Sequence, residues 1–325
     1  MDDLNVTYIT FAGHVELQSY RLLYFIIMFI VYVSIIFGNL TIFCLVCIHK
    51  SLHEPMYIFI AALLLNSLLF STNIYPKLLI DFLSDQQIIS LSLCHLQSFI
   101  YYTLCGAEFF LLSAMAYDRY VSICKPLQYA SIMKKSTVCV LLALAWLLPA
   151  GQLVPSLFLI SNLRICHFSL KGIFCNNGIS KLYCMNSETT YVVYGVLIIV
   201  TTIFVPMIFI IFTYSKILLV SYRSSMNVRR KAAQTCSPHL LVLISFSCLC
   251  SYDVIARLQV DLHKTARFIM TLQVVLYHPL FNPIIYGVKV KKISELLKRL
   301  FIYIRICYKT NVGQTVNLIS NRNFF

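Results

Sequence analysis

FIYYTLCGAEFFLLSAMAYDRYVSIC, residues 99–124, decides how this chain is read. As a helix rising about 1.5 Å per residue it is long enough to cross a hydrocarbon layer roughly 30 Å thick. Yet it carries Glu108 in its middle and Asp118 beside Arg119 near its end. Ionisable groups at membrane depth face the protein interior and mark function. At about 100° per residue, Glu108 falls within roughly 20° of the face of Arg119, Tyr101 falls on it, and Cys105 about 40° from it. One stripe therefore carries a tyrosine near one end, a carboxyl group midway and an arginine about 27 Å from the tyrosine.

Composition extends this reading to the whole chain. Of 325 residues, 59% are hydrophobic and 12% charged, with mean hydropathy +0.81, far too apolar for a water-soluble domain of this size. Nine glycines and the lack of regularly spaced turn signals argue against a lipid-facing barrel. Helices are the other way to satisfy backbone groups in lipid. Seven apolar runs stand at 22–48, 56–82, 91–124, 138–160, 189–220, 236–258 and 266–287. The expectation is an all-α, seven-transmembrane-helix bundle forming one domain over 1–325, with 1–21 extracellular and 288–325 a cytoplasmic tail.

The net charge of +14 would suggest nucleic acid in a soluble protein, but here the basic residues lie between and after apolar runs. Lys50, Lys125, Lys134, Lys135, Lys216, Arg223, Arg229, Arg230, Lys231 and the tail from Lys289 to Arg322 fall on one side. The positive-inside rule makes that side cytoplasmic and puts the N-terminus outside. Membrane lipid is the expected surrounding, with no nucleic-acid partner. The first 20 residues lack the basic start and apolar centre of a cleaved leader. Asn5-Val6-Thr7 then forms a glycosylation sequon on the outer side. After the seventh run, Lys289 to Phe301 spaces Ile293, Leu296, Leu297, Leu300 and Phe301 as one apolar face among lysines and arginines. This reads as a short amphipathic helix on the inner leaflet, with Cys307 beyond it a candidate for palmitoylation.

Thirteen cysteines cannot all pair. Cys44 and Cys47 have CxxC spacing but no second ligand pair, so helix packing explains them. Cys94, Cys166, Cys175 and Cys184 lie at the oxidising outer face, where two disulfides are expected and three pairings are open.

Several motifs in order resemble the rhodopsin-like G-protein-coupled receptors, and within them the odorant receptors, most like those of bony fish. They are Gly38-Asn39, Pro55-Met56-Tyr57, Pro76-Lys77, MAYDRYVSICKPLQY at 115–129, KAAQTCSPHL at 231–240 and PLFNPIIYG at 279–287. The resemblance implies that Arg119, held by Asp118 and followed by Tyr120, engages a heterotrimeric G protein, with Tyr214 and Tyr286 joining it in the active state. It implies a seventh-span switch of Asn282, Pro283 and Tyr286 packed with Asn39, a packing role for His239, and the pairings Cys94 with Cys175 and Cys166 with Cys184. It also implies a plasma-membrane receptor for a small odorant, signalling through the stimulatory olfactory G protein and cyclic AMP.

Two positions depart from the family. Ser67 stands where an aspartate is usual, and Ser247 follows Phe246 where an aromatic is usual. Glu108 is then the one acid expected at mid-depth. It is expected to be neutral and to donate a hydrogen bond to Asn66, Ser67 or Asn282, with sodium a weak ligand.

Helical phase relative to these motifs gives an outer-half ligand pocket of Tyr101, Tyr102, Cys105, Tyr194, Ile198, Thr202, Cys250, Ser251, Leu272 and Val275. Its aromatic, apolar and hydroxyl character suits a small organic molecule, and Tyr101 stands where amine receptors place an acid. Enzyme signatures such as HExxH, GxSxG and a phosphate loop do not occur, and the eight histidines are scattered. No cofactor or metal is expected. A transporter would show paired repeats or broken helices, and neither appears in the sequence.

Overall fold

A computed structural model describes residues 7–15, 17–161, 163–184, 188–222, 236–248 and 263–322. The helices are α1 (Leu17–Ile48), α2 (Pro55–Leu83), α3 (Leu91–Cys124) and α4 (Lys135–Ser161). They continue with α5, built from Glu188–Ile199, a π segment Val200–Phe204 and Val205–Tyr222, then α6 (Cys236–Cys248), α7 (Lys264–Lys289) and α8 (Lys291–Arg322). Six are long and apolar enough to cross a membrane, and α6 is a shorter apolar helix within the sixth expected span. Together they make the seven-helix bundle, an all-α membrane architecture.

Local sequence sets the ends. Pro55 opens α2, where its missing N–H is no loss. The Ser90 hydroxyl accepts from the Leu93 N–H and caps α3. α3 is the hub, packed against α2, α4 and α5, while α7 packs against α1 and α2. Accordingly most of α2 and α3 is buried, whereas α1, α4 and α5 present large apolar side chains outward, among them Phe37, Leu147 and Ile208. In lipid that surface carries no penalty.

One apolar cluster fills the inner half around Phe59, Leu63, Met115 and Tyr286, and a second fills the outer half around Phe70, Tyr75, Tyr101 and Phe268. α8 seats Ile293, Leu296 and Leu297 against the inner cluster. The Lys292 ammonium donates to the Ser51 carbonyl at 2.8 Å and pairs with Glu54 at 3.0 Å, which raises its pKa. The helix runs on to Arg322, well past the amphipathic stretch that the apolar spacing marks and through Asn311 and Gly313, with no proline to end it. Cys307 lies on this helix.

The outer end carries a feature absent from an all-α expectation. β1 (Tyr8–Phe11) pairs antiparallel with β2 (Ile88–Ser90) and parallel with β3 (Ser169–Leu170), so the N-terminal segment is the central strand of a three-stranded sheet. Beside it, a Cβ on Gly13 would lie 2.6 Å from the Gly172 carbonyl carbon, an approach only glycine permits. Cys94 is joined to Cys175 and Cys166 to Cys184, with Cα separations of 5.3 and 5.4 Å. Strands of two to four residues give almost no alternation to read, which is why the sheet is invisible in the sequence.

Candidate functional site

The outer cluster gathers part of the expected pocket. Tyr101 is 3% exposed, with its ring 5.1 Å from Phe174 of the outer loop, 5.3 Å from Phe70 and 4.9 Å from Tyr102. Val275 belongs to the same cluster, and Cys105 and Leu272 pack on it. Five of the ten expected residues thus meet around Tyr101. On α5, the interactions of Tyr194 and Thr202 run to α4: the Tyr194 hydroxyl donates to the Gln152 carbonyl, and the Thr202 hydroxyl to Gln152 Oε1 at 2.7 Å. The Thr202 methyl also packs where a Gly106 Cβ would stand. The π segment inserts a residue, so a phase counted at 3.6 residues per turn along α5 drifts there. Ile198 is half-buried. Cys250, Ser251 and Asn5 lie outside the described residues.

Midway down, α2, α3, α4 and α7 share a polar cluster. The Trp146 indole N–H, a donor only, points at Asn66 Oδ1 at 3.2 Å, which fixes the amide orientation. Asn66 Nδ2 therefore donates to the Leu104 carbonyl and to Glu108 Oε2, both at 3.0 Å. Asn282 Nδ2 donates to the Ser67 hydroxyl at 2.9 Å and approaches Glu108 Oε1 at 3.3 Å. His278 Nε2 lies 2.5 Å from the same oxygen. Instead of a lone acid that donates to its neighbours, Glu108 is an acceptor with a basic partner. The signal for His278 was there to be found: it precedes Asn282 by four residues, one helical turn.

At the inner end Asp118 is fully buried and pairs with Arg119, whose Nε donates at 2.8 Å. The Tyr129 hydroxyl, on the short helix Tyr129–Ile132 after α3, donates to the other Asp118 oxygen at 2.8 Å. Burial first, and then the Asp118 charge, push the Tyr129 phenol well above its ordinary value. Tyr120 is half-buried beside this pair. Tyr214 on α5 and Tyr286 on α7 are buried with hydroxyls lacking a protein partner, and the His239 ring lies 5.8 Å from that of Tyr286. Such unpaired buried groups suit a site that rearranges.

α7 is tied to α1 by proline chemistry. Pro283 has no N–H, so the Pro279 carbonyl one turn earlier has no helical donor. Asn39 Nδ2 supplies it at 2.8 Å, while also bonding the Ile35 carbonyl of its own helix. Gly38 leaves the room, since a Cβ there would sit 3.3 Å from Pro283 Cγ.

The family model described as olfactory receptor matches residues 28–303. The chain belongs to the olfactory receptor family. Human olfactory receptor 13C2 is 33% identical over 310 residues, covering 89% of this chain and 92% of that one. Human olfactory receptor 6N1 is 32% identical over 295 residues, with 88% and 92% covered, and human olfactory receptor 51E1 is 33% identical over 273, with 83% and 86% covered. These relatives are human, so the likeness to bony-fish receptors gains no support from them. As a family member the chain is a multi-pass membrane receptor and not an enzyme.

Proposed function

We propose that the receptor binds a small organic odorant in the outer half of the bundle and activates a heterotrimeric G protein, of the stimulatory type that raises cyclic AMP. It acts at the plasma membrane with its N-terminus outside. The observation that carries this reading is the single helix α3, which runs from Tyr101 in the outer aromatic cluster to the buried Asp118–Arg119 pair at the other end. A ligand that repacks the rings around Tyr101 shifts α3 against its neighbours, because packed helices rearrange between discrete states and do not deform smoothly. Tyr129, Tyr214 and Tyr286 converge on the inner end, where release of Arg119 from Asp118 exposes it to the G protein.

The aromatic and apolar character of Tyr101, Tyr102, Leu272 and Val275, packed together in the outer cluster, favours an uncharged, partly apolar ligand. The test is a cyclic AMP reporter screened with a water-soluble odorant panel. An agonist whose response is lost in Tyr101→Ala and in Arg119→Ala at equal surface density supports the assignment. A current or flux that persists without G protein refutes it.

A further inference from the structure

Glu108 on α3 and His278 on α7 are 0% and 6% exposed, far from either end of the bundle, and the ligand and G-protein reading makes no use of them as a pair. Three nitrogens converge on the one carboxyl group: Asn66 Nδ2 at 3.0 Å, Asn282 Nδ2 at 3.3 Å and His278 Nε2 at 2.5 Å. The Trp146 indole fixes the Asn66 amide with its donor toward Glu108. Two amide donors meet this carboxyl group, and His278 Nε2, which also lies 3.3 Å from Asn282 Nδ2, stands against it, a setting that suits an ionised, acceptor-only carboxylate.

A carboxylate charge at this depth costs several kcal/mol or more unless an opposite charge stands against it. Among the described residues packed around the pair, α2 brings Asn66, Ser67 and Phe70, α4 brings Trp146 through Asn66, and α6 brings Phe246. α1 brings Asn39, and α7 brings Asn282 and, further in, the Tyr286 phenol, with Tyr214 of α5 beyond it. None of these forms a cation. Arg119 is eleven residues along α3, about 16 Å away, and is held by Asp118. The imidazole remains. Its ring lies 4.6 Å from Phe246 and 5.8 Å from Phe70.

We propose that Glu108 and His278 form an internal proton-binding site, with the proton on His278 as an imidazolium paired to the Glu108 carboxylate, filling the electrostatic place of a metal cation. Uptake of one proton from water onto the imidazole takes the pair from a net charge of −1 to zero, and no other bond changes. The proton also ties α3, which carries Arg119, to α7, which carries Tyr286. Ser67 fits this arrangement: an aspartate there would put a second negative charge beside Asn282 and leave one imidazolium facing two acids.

The test needs neither odorant nor G protein, so its failure is separate from that of the functional reading. The full-length receptor, labelled with 15N-histidine in lipid nanodiscs, is studied by NMR at neutral pH, with His278 identified by the signal lost in His278→Asn. Both ring nitrogens of His278 should be protonated in the wild type, and the imidazolium signal should be lost in Glu108→Gln. A neutral ring in the wild type, or an imidazolium indifferent to Glu108→Gln, overturns the proposal. If Glu108→Gln does not fold, the wild-type spectrum decides alone. In parallel, thermal unfolding is compared in sodium chloride and choline chloride of equal strength. The wild type should show no shift, and His278→Asn should be stabilised by sodium as Glu108 loses its counter-charge. A sodium shift in the wild type, or none in His278→Asn, overturns the proposal.

Discussion

Asn39 on α1 donates to the carbonyl of Pro279 on α7, the one backbone acceptor that Pro283 strips of its helical partner. Removing the amide leaves that carbonyl buried without a donor, which costs about 1 to 3 kcal/mol. Asn39→Ala should therefore lower the thermal unfolding midpoint of the receptor in nanodiscs. Asn39→Asp, which offers no amide N–H, should do at least as much damage. A midpoint unchanged in both variants would remove the bond from any account of stability.

Tyr129 shares Asp118 with Arg119. Tyr129→Phe deletes a single donor, and a hydrogen bond to a charged group of about 1.5 kcal/mol corresponds to a roughly tenfold change in the balance of the states it distinguishes. Asp118 then holds Arg119 in a less complete cage, and ligand-independent cyclic AMP should rise about that much at matched surface density. Basal signalling equal to wild type would detach Tyr129 from the switch.

Gly106 and Gly151 make a matched pair of tests. A Cβ at Gly106 would meet Pro149 Cβ at 2.6 Å and Thr202 Cγ2 at 2.8 Å, both stiff neighbours, whereas a Cβ at Gly151 would meet nothing within 4 Å. Gly106→Ala should destabilise by about 1 to 3 kcal/mol through overpacking. Gly151→Ala should be neutral or stabilise by about 0.5 to 1 kcal/mol, since alanine favours the helix. Equal midpoints for the two variants would contradict the close seam of α3, α4 and α5.

His14, just outside the membrane-spanning helices, is buried between the rings of Phe82 and Phe268. Burial first, and then the charge of Lys77, lower its pKa to about 4. Because the unfolded chain takes up this proton near pH 6.5 and the folded chain only near 4, stability from this group is complete above about 6.5 and falls between these values. The total is on the order of 3 kcal/mol. Unfolding midpoints measured from pH 7 to 4 should drop more steeply in the wild type than in His14→Phe. Parallel curves would place the acid sensitivity elsewhere.

The helices were legible because lipid imposes long apolar runs, and the interior stripe of α3 because a charge at membrane depth has one tolerable direction. Tyr101 and Glu108 could therefore be placed by counting turns from Arg119. Counting worked less well on α5, where the π segment offsets the phase and the interactions of Tyr194 and Thr202 go to Gln152. His278 stands one turn before Asn282, which places it on the interior face of α7, but only the fold brings it to a glutamate 170 residues earlier in the chain. The strands were too short to alternate.

The central place of β1 in the outer sheet sets an order of assembly. A strand at Tyr8–Phe11 cannot be paired on both edges until Ser169–Leu170 has emerged, by which time four helices have already been made. Long-range closure of this kind comes late, since the chain must first give up the entropy of the intervening loop. Until then the N-terminal segment is an unclosed edge, its backbone groups paired on one side at most.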